Sequence, residues 1–152
     1  SADAAERCRA AEELARLGPI AKVASLELAR ACADEDRQVR EWVVAALEEI
    51  GPPPAADLGD LVELLPSEVP DVCYWAVTLL GRLGTEGARA VPELISTLEN
   101  HSDMVVRQRA AWALGKIGRP AAAGLPALRA AAGSDQARLA RLAEEAIKKI
   151  GG

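Results

Sequence analysis

A chain of 152 residues, half of them apolar and 27% charged, is long enough to bury an ordinary core, and no stretch of it approaches the roughly 18 uninterrupted apolar residues of a membrane helix. Three cysteines, Cys8, Cys32 and Cys73, are odd in number and unevenly spaced, which argues against a disulfide framework and for a reducing compartment. The start, Ser1-Ala2-Asp3-Ala4-Ala5-Glu6, has neither the basic residues nor the apolar run of a secretory signal, so the expected location is the cytoplasm.

Five apolar stretches end in Leu-Gly or Ile-Gly: Leu17-Gly18, Ile50-Gly51, Leu83-Gly84, Ile117-Gly118 and Ile150-Gly151, with the glycines 33, 33, 34 and 33 residues apart. A fixed period of this length marks a stacked repeat, because a unit so small closes its core only against its neighbours. The pattern predicts nine helices, near 3–17, 20–33, 36–50, 56–65, 69–83, 91–99, 103–117, 121–132 and 135–150. They fall into units 1–34, 35–67, 68–101 and 102–134 and a terminal helix at 135–150, all within a single domain spanning 1–152.

The first helix of each unit is the more regular. One place before the glycine stand Leu17, Ile50, Leu83, Ile117 and Ile150; four places before stand Leu14, Leu47, Leu80, Leu114 and Ile147. Eight places before stand Ala10, Val43, Ala76, Ala110 and Ala143, and twelve before, in the last four units, Val39, Val72, Val106 and Leu139. These offsets share one face of a 3.6-residue helix. The second helices carry Leu28, Leu61, Leu94 and Leu128 ten places after the glycine. Pro92 and Pro126 stand where such a helix should begin, and the run Pro52-Pro53-Pro54 delays it in the second unit.

Val106-Arg107-Gln108-Arg109-Ala110-Ala111-Trp112-Ala113-Leu114-Gly115-Lys116-Ile117-Gly118 resembles the first helix of the HEAT-like repeats of bacterial proteins, a family related to the repeats of bilin lyases. Ala90-Val91-Pro92-Glu93-Leu94-Ile95 and Gly124-Leu125-Pro126-Ala127-Leu128 resemble its second helix. The resemblance implies an all-α fold, a right-handed α-solenoid of about 4.5 helix-pair repeats with the second helices lining the concave side. It also implies an Asp four places before an Arg in the first helix. Asp3/Arg7, Asp36/Arg40 and Asp103/Arg107 keep that pair, whereas Val69/Cys73 and Gln136/Ala140 lose both members. The Asp is expected to cap its helix, and the Arg to bridge to it or to the next unit.

Nothing in the pattern marks a catalytic residue, a cofactor site or a metal site. The lone His101 reads as a polar turn residue, no cysteines have metal spacing, and no Gly-rich loop follows a strand. The expectation is a protein-interaction module or scaffold. The candidate surface is the second-helix face, where Glu27, Asp60 and Glu93 stand nine places after the glycine and Arg30, Glu63 and Ser96 twelve places after. Such an acidic stripe suits a basic peptide or protein patch, although the helix dipole also favours acids in a first turn.

Charge is uneven along the axis: residues 1–103 carry 20 acids and 9 bases, and residues 104–152 carry 3 acids and 9 bases. The inner positions are mostly acidic or small, which weighs against nucleic acid, but the basic end admits it as an alternative partner, or a weak head-to-tail self-association, and handling of a tetrapyrrole in the manner of bilin lyases is a further alternative. Trp42 and Trp75 occupy equivalent places on the flank of the apolar face and are expected to neighbour one another and pack between units, with Tyr74 and Trp75 as an alternative, exposed contact patch. Cys8 shares the place of Tyr74 and is expected to be exposed.

Overall fold

Each of the five repeat glycines holds a positive φ, from 55° at Gly18 to 93° at Gly151, and among the described residues no other residue type does. A side chain would strain this conformation, so glycine ends the first helix at these places and releases the chain into its turn. The computed structural model describes residues 1–151, in which nine α-helices and short 310 segments follow one another and no strand occurs. The first helices are α1 (Ala4–Leu17), α3 (Arg37–Glu49), α5 (Pro70–Arg82), α7 (Met104–Ile117) and α9 (Ala137–Ile150), close to the bounds expected from the sequence. The second helices are α2 (Ser25–Ala31), α4 (Leu58–Glu63), α6 (Val91–Asn100) and α8 (Leu125–Ala132).

Three of these second helices are shorter than the apolar pattern implied. The chain first runs through 310 segments at Gly18–Ala24, Ala55–Asp57, Gly84–Ala90 and Arg119–Gly124. The cause is a tight return over the preceding helix. Three places after the glycine stand Ala21, Gly87 and Ala121, all buried. A Cβ at Gly87 would lie 2.8 Å from the Leu80 carbonyl oxygen. Pro92 and Pro126 do open their helices, in the first turn where a missing N–H costs nothing.

First helices pack on first helices, α1 on α3, α5 on α7 and α7 on α9, while α6 and α8 cover α7 and α9 to form an α-solenoid. Leu47, Leu80, Leu114 and Leu128 are wholly buried in one continuous core. Unit one departs from the pattern. Ala10 and Leu17 are exposed, Leu17 by 41%, and Leu14 is only half-buried, because α1 has α3 on one flank and no helix on the other.

Stacking is also interrupted between α3 and α5, which stand further apart than the other consecutive first helices, and α2 packs directly on α5. Residue size explains the gap. Where α5 meets α7, Gly81 faces Ala113; where α7 meets α9, Gly115 faces Ala146. The same places in α1 and α3 hold Ala15 and Ala46, but in α3 and α5 they hold Glu48 and Leu79, which are too large for the backbones to meet.

The Asp/Arg pairs resolve into two separate jobs. Asp3, Asp36 and Asp103 each accept N–H groups in the first turn of their own helix. The arginines turn away from these acids. Arg7 grips the Asp34 carboxylate with two bonds of 2.8 and 3.1 Å, Arg40 donates to the Asp34 and Glu35 carbonyls, and Arg107 donates to the Leu98 carbonyl at 2.7 Å. Cys73 replaces the arginine in unit three, and its thiol lies 3.2 and 3.1 Å from the Leu65 and Ser67 carbonyls. In units two to four arginine or cysteine therefore supplies a donor to the chain at or just past the end of the preceding second helix, whereas Arg7 in unit one reaches forward to the segment after α2.

A further regularity starts each unit. The backbone N–H two places on donates to the side chains of Ser1, Asp34, Ser67, His101 and Ser134. His101 Nδ1 is thus an acceptor held by the Asp103 N–H at 3.0 Å, which gives the lone histidine a turn-forming role.

Asp34 also makes the N-terminal unit sensitive to pH. The hydrogen bond from Arg7 holds its carboxyl below the usual range against an opposing effect of burial, helped by the Asp36 N–H and the charges of Arg7 and Arg40. The folded state therefore binds this proton less readily than the unfolded chain. The resulting stability is present above the unfolded carboxyl value of about 3.9 and is lost as pH falls through the lower folded value. Thermal melts across the acid range should show Asp34→Asn less stable than the parent at neutral pH, with the gap closing as pH falls; a gap independent of pH would refute the linkage.

Candidate functional site

The second helices present the acidic residues singled out in the sequence. Glu27, Arg30, Asp60, Glu63, Glu93 and Ser96 are all exposed. Glu27 pairs with Arg30, 2.9 Å away in the same helix, whereas Asp60, Glu63 and Glu93 have no ion-pair partner among the described residues. Glu27, Asp60 and Glu93 lie in the first turns of α2, α4 and α6, where the helix dipole stabilises them. Beside them a groove of about 280 Å³ separates α4 from α6. Val62, Leu65 and Pro66 form one wall, and Glu93, Ser96, Thr97, Asn100 and His101 form the other. Of the sequence candidates, Glu93 and Ser96 meet in this groove; Asp60 and Glu63 stand on α4 outside its lining.

The aromatic residues follow the expected packing role, but not the expected neighbours. Trp75 is buried, with 7% exposure, so it is a packing residue and not half of an exposed patch. Its ring meets Tyr74 edge-on at 5.5 Å; no ring contact joins it to Trp42 among the described residues, because α3 and α5 are held apart. Arg82 bridges that separation. The Arg82 guanidinium lies 5.5 Å from the Trp75 ring centroid and donates to the Leu47 and Gly51 carbonyls at 2.7 and 3.2 Å, closing the C-terminal end of α3.

Arg109 extends this series toward the C-terminus. Its guanidinium lies 3.7 Å from the Trp112 ring centroid and 5.2 Å from that of Tyr74, and its Nε donates to Thr78 Oγ1 at 2.8 Å. Neither Arg82 nor Arg109 has a carboxylate partner among the described residues. Burial pulls both guanidinium pKa values below the usual one, with a further lowering at Arg82 from Arg109 and at Arg109 from Arg138; Tyr74 opposes the effect at both. A groove of about 470 Å³ is lined by Val44, Tyr74, Trp75, Arg82, Val105 and Arg109 together with the carboxylates Glu48 and Asp71. The sequence carried a signal for Arg109, which stands nine places before its glycine, as Trp42 and Trp75 do before theirs.

The cysteines offer no activated thiol. Cys8 is half-buried against the core and not exposed as expected. Burial raises its pKa, and Asp36 and Asp34 add to the rise against Arg7 and Arg9. Burial pushes Cys32 up to about 12 and raises Cys73. Among the described residues no cluster of three or more metal-ligating side chains occurs, and no helix is long and apolar enough to cross a membrane.

A family model described as HEAT repeats matches residues 58–148, from α4 into α9. No curated protein matches the chain. Among solved structures, one engineered protein is similar over 99% of this chain and 75% of its own, at 23% identity and a TM-score of 0.67. A second engineered protein is similar over 95% of this chain and 43% of its own, at 21% identity and a TM-score of 0.60. A third is similar over 98% of this chain and 93% of its own, at 18% identity and a TM-score of 0.54. At these identities the likeness concerns the fold alone, and it agrees with the repeat period, the paired helices and the family match. The chain belongs to the HEAT-repeat family.

Proposed function

We propose that the chain is a non-enzymatic interaction scaffold that receives a basic segment of a protein partner on its second-helix face. The observation that supports this reading is the set of exposed, unpaired carboxylates Asp60, Glu63 and Glu93 beside an apolar groove walled by Val62, Leu65 and Pro66. Lysine or arginine side chains would meet the carboxylates, and an apolar side chain between them would enter the groove. Glu27 contributes less, because Arg30 already pairs with it. Repeats stacked along one axis suit such an extended ligand, since each unit adds one row of contacts.

The test is titration of the isotope-labelled protein with a short Lys/Leu peptide. Amide shifts confined to α4 and α6, and lost in a folded variant carrying Asp60→Lys, Glu63→Lys and Glu93→Lys, are the expected result. Shifts that persist in that variant, or no shifts at all, would show the acids to be solvated surface.

A further inference from the structure

We propose that the groove over Arg109, on the first-helix side of the molecule, is a docking site for an acidic peptide segment of a protein partner. A carboxylate would take the free edge of the Arg109 guanidinium, and a neighbouring apolar side chain would rest on Val105 and Trp112. This surface is distinct from the acidic second-helix face and takes a partner segment of opposite charge.

Several independent features place the site. Arg109 is already oriented: its Nε is bonded to Thr78 Oγ1, and its face lies over Trp112. Among the described residues its two terminal nitrogens have no acceptor, and no fully buried side-chain nitrogen or oxygen lacks a partner, so neither nitrogen is sealed from solvent. A planar fork held in place loses little freedom when it binds a carboxylate through two parallel bonds. The pocket of about 100 Å³ on this side includes Arg109 and Arg138 in its lining and no acid. Glu48 and Asp71 line the wider groove toward α3 and are absent from the lining of the smaller pocket, so repulsion on the one side and Arg138 on the other direct an anion to the Arg138 side.

Val105 supplies the apolar half of the site. It lies in the first turn of α7, is 57% exposed, and lines both grooves. Its counterparts in units two, three and five are Gln38, Asp71 and Arg138, so the repeat does not require an apolar residue there. Tyr74, Trp112 and arginine side chains around an exposed valine have the composition of an interface centre. The net charge of +6 over residues 104–152 would draw an acidic chain toward this end.

The experiment titrates the labelled full chain with a short Glu/Leu peptide, alongside Gln/Leu and Lys/Leu peptides, following the Trp112 indole and Arg109 side-chain signals. The Glu/Leu peptide should shift both, with affinity falling as salt rises, and the other two should not. Arg109→Gln should weaken binding by at least about tenfold. Arg138→Glu, at an exposed position with no ion-pair partner among the described residues, should also weaken binding and controls for any loss of folding in the first variant. The proposal fails if the Gln/Leu peptide binds as well, if the shifts lie elsewhere, or if Arg138→Glu and Val105→Asp both bind at the parent affinity. It also fails if single-stranded nucleic acid or a second copy of the chain occupies the groove while the Glu/Leu peptide does not. Binding of the Lys/Leu peptide at α4 and α6 is a separate result and leaves this proposal standing.

Discussion

Gly115→Leu is expected to detach α9 and lower stability by about 3 kcal/mol or more, at or beyond the upper end of ordinary overpacking. A Cβ at this position would lie 2.9 Å from Ala146 Cα and 3.0 Å from its Cβ. Neither atom can swing aside as the tip of a long side chain can, so α7 and α9 would have to part along their length. Helix α9 packs on α7, α8 and the 310 segment before α8. Losing its contact with α7 therefore removes its principal support. Hydrogen exchange should show α9 amides opening well before those of α5, and denaturant melts should broaden or split. Gly59→Ala is the matched control: nothing lies within 4 Å of its added Cβ, and alanine is the better helix former. That variant should be unchanged or slightly more stable. A parent-like melt for Gly115→Leu would refute the close approach.

Leu80→Ala is expected to cost about 2–5 kcal/mol, because its side chain is wholly buried where α5 packs into the middle of the stack. The same substitution at Leu14, its counterpart in unit one, should cost about half as much or less, since that side chain is half-buried and has no helix beyond it. Chemical denaturation of both variants measures the contrast directly. Equal losses would mean that position within the repeat, and not burial, sets the energy. A repeat protein makes the comparison clean because one place is read in two environments.

Much of the fold was legible because the signals are local. Glycine at Gly18, Gly51, Gly84, Gly118 and Gly151 adopts a backbone conformation that side chains resist, and Asp3, Asp36 and Asp103 satisfy N–H groups within two or three residues of themselves. Neither feature needs a distant part of the chain. The second helices were read less well. Leu28 and Leu61 marked their buried faces, but the 310 entries depend on how tightly the turn is pressed against the preceding helix.

The candidate surfaces divide along the same line. Exposure of Glu27, Asp60, Glu63 and Glu93 follows from helical geometry, since residues away from the leucine seam face outward. The burial of Trp75 and the separation of α3 from α5 depend on the sizes of residues in different units, notably Glu48 and Leu79 in place of the small pairs at the other joints. Arg109 shows the difference most clearly. Its identity and its place nine residues before a glycine are written in the chain, but its stacking on Trp112 and its bond to Thr78 exist only once α5 and α7 meet. Sequence by itself determined the period, the five first helices and their ends, because those rest on backbone conformation and short-range hydrogen bonds. Tertiary structure decided which helices touch, which aromatic rings are covered and where guanidinium groups lack an anion, because those depend on side-chain volumes and charges brought together from units about 33 residues apart.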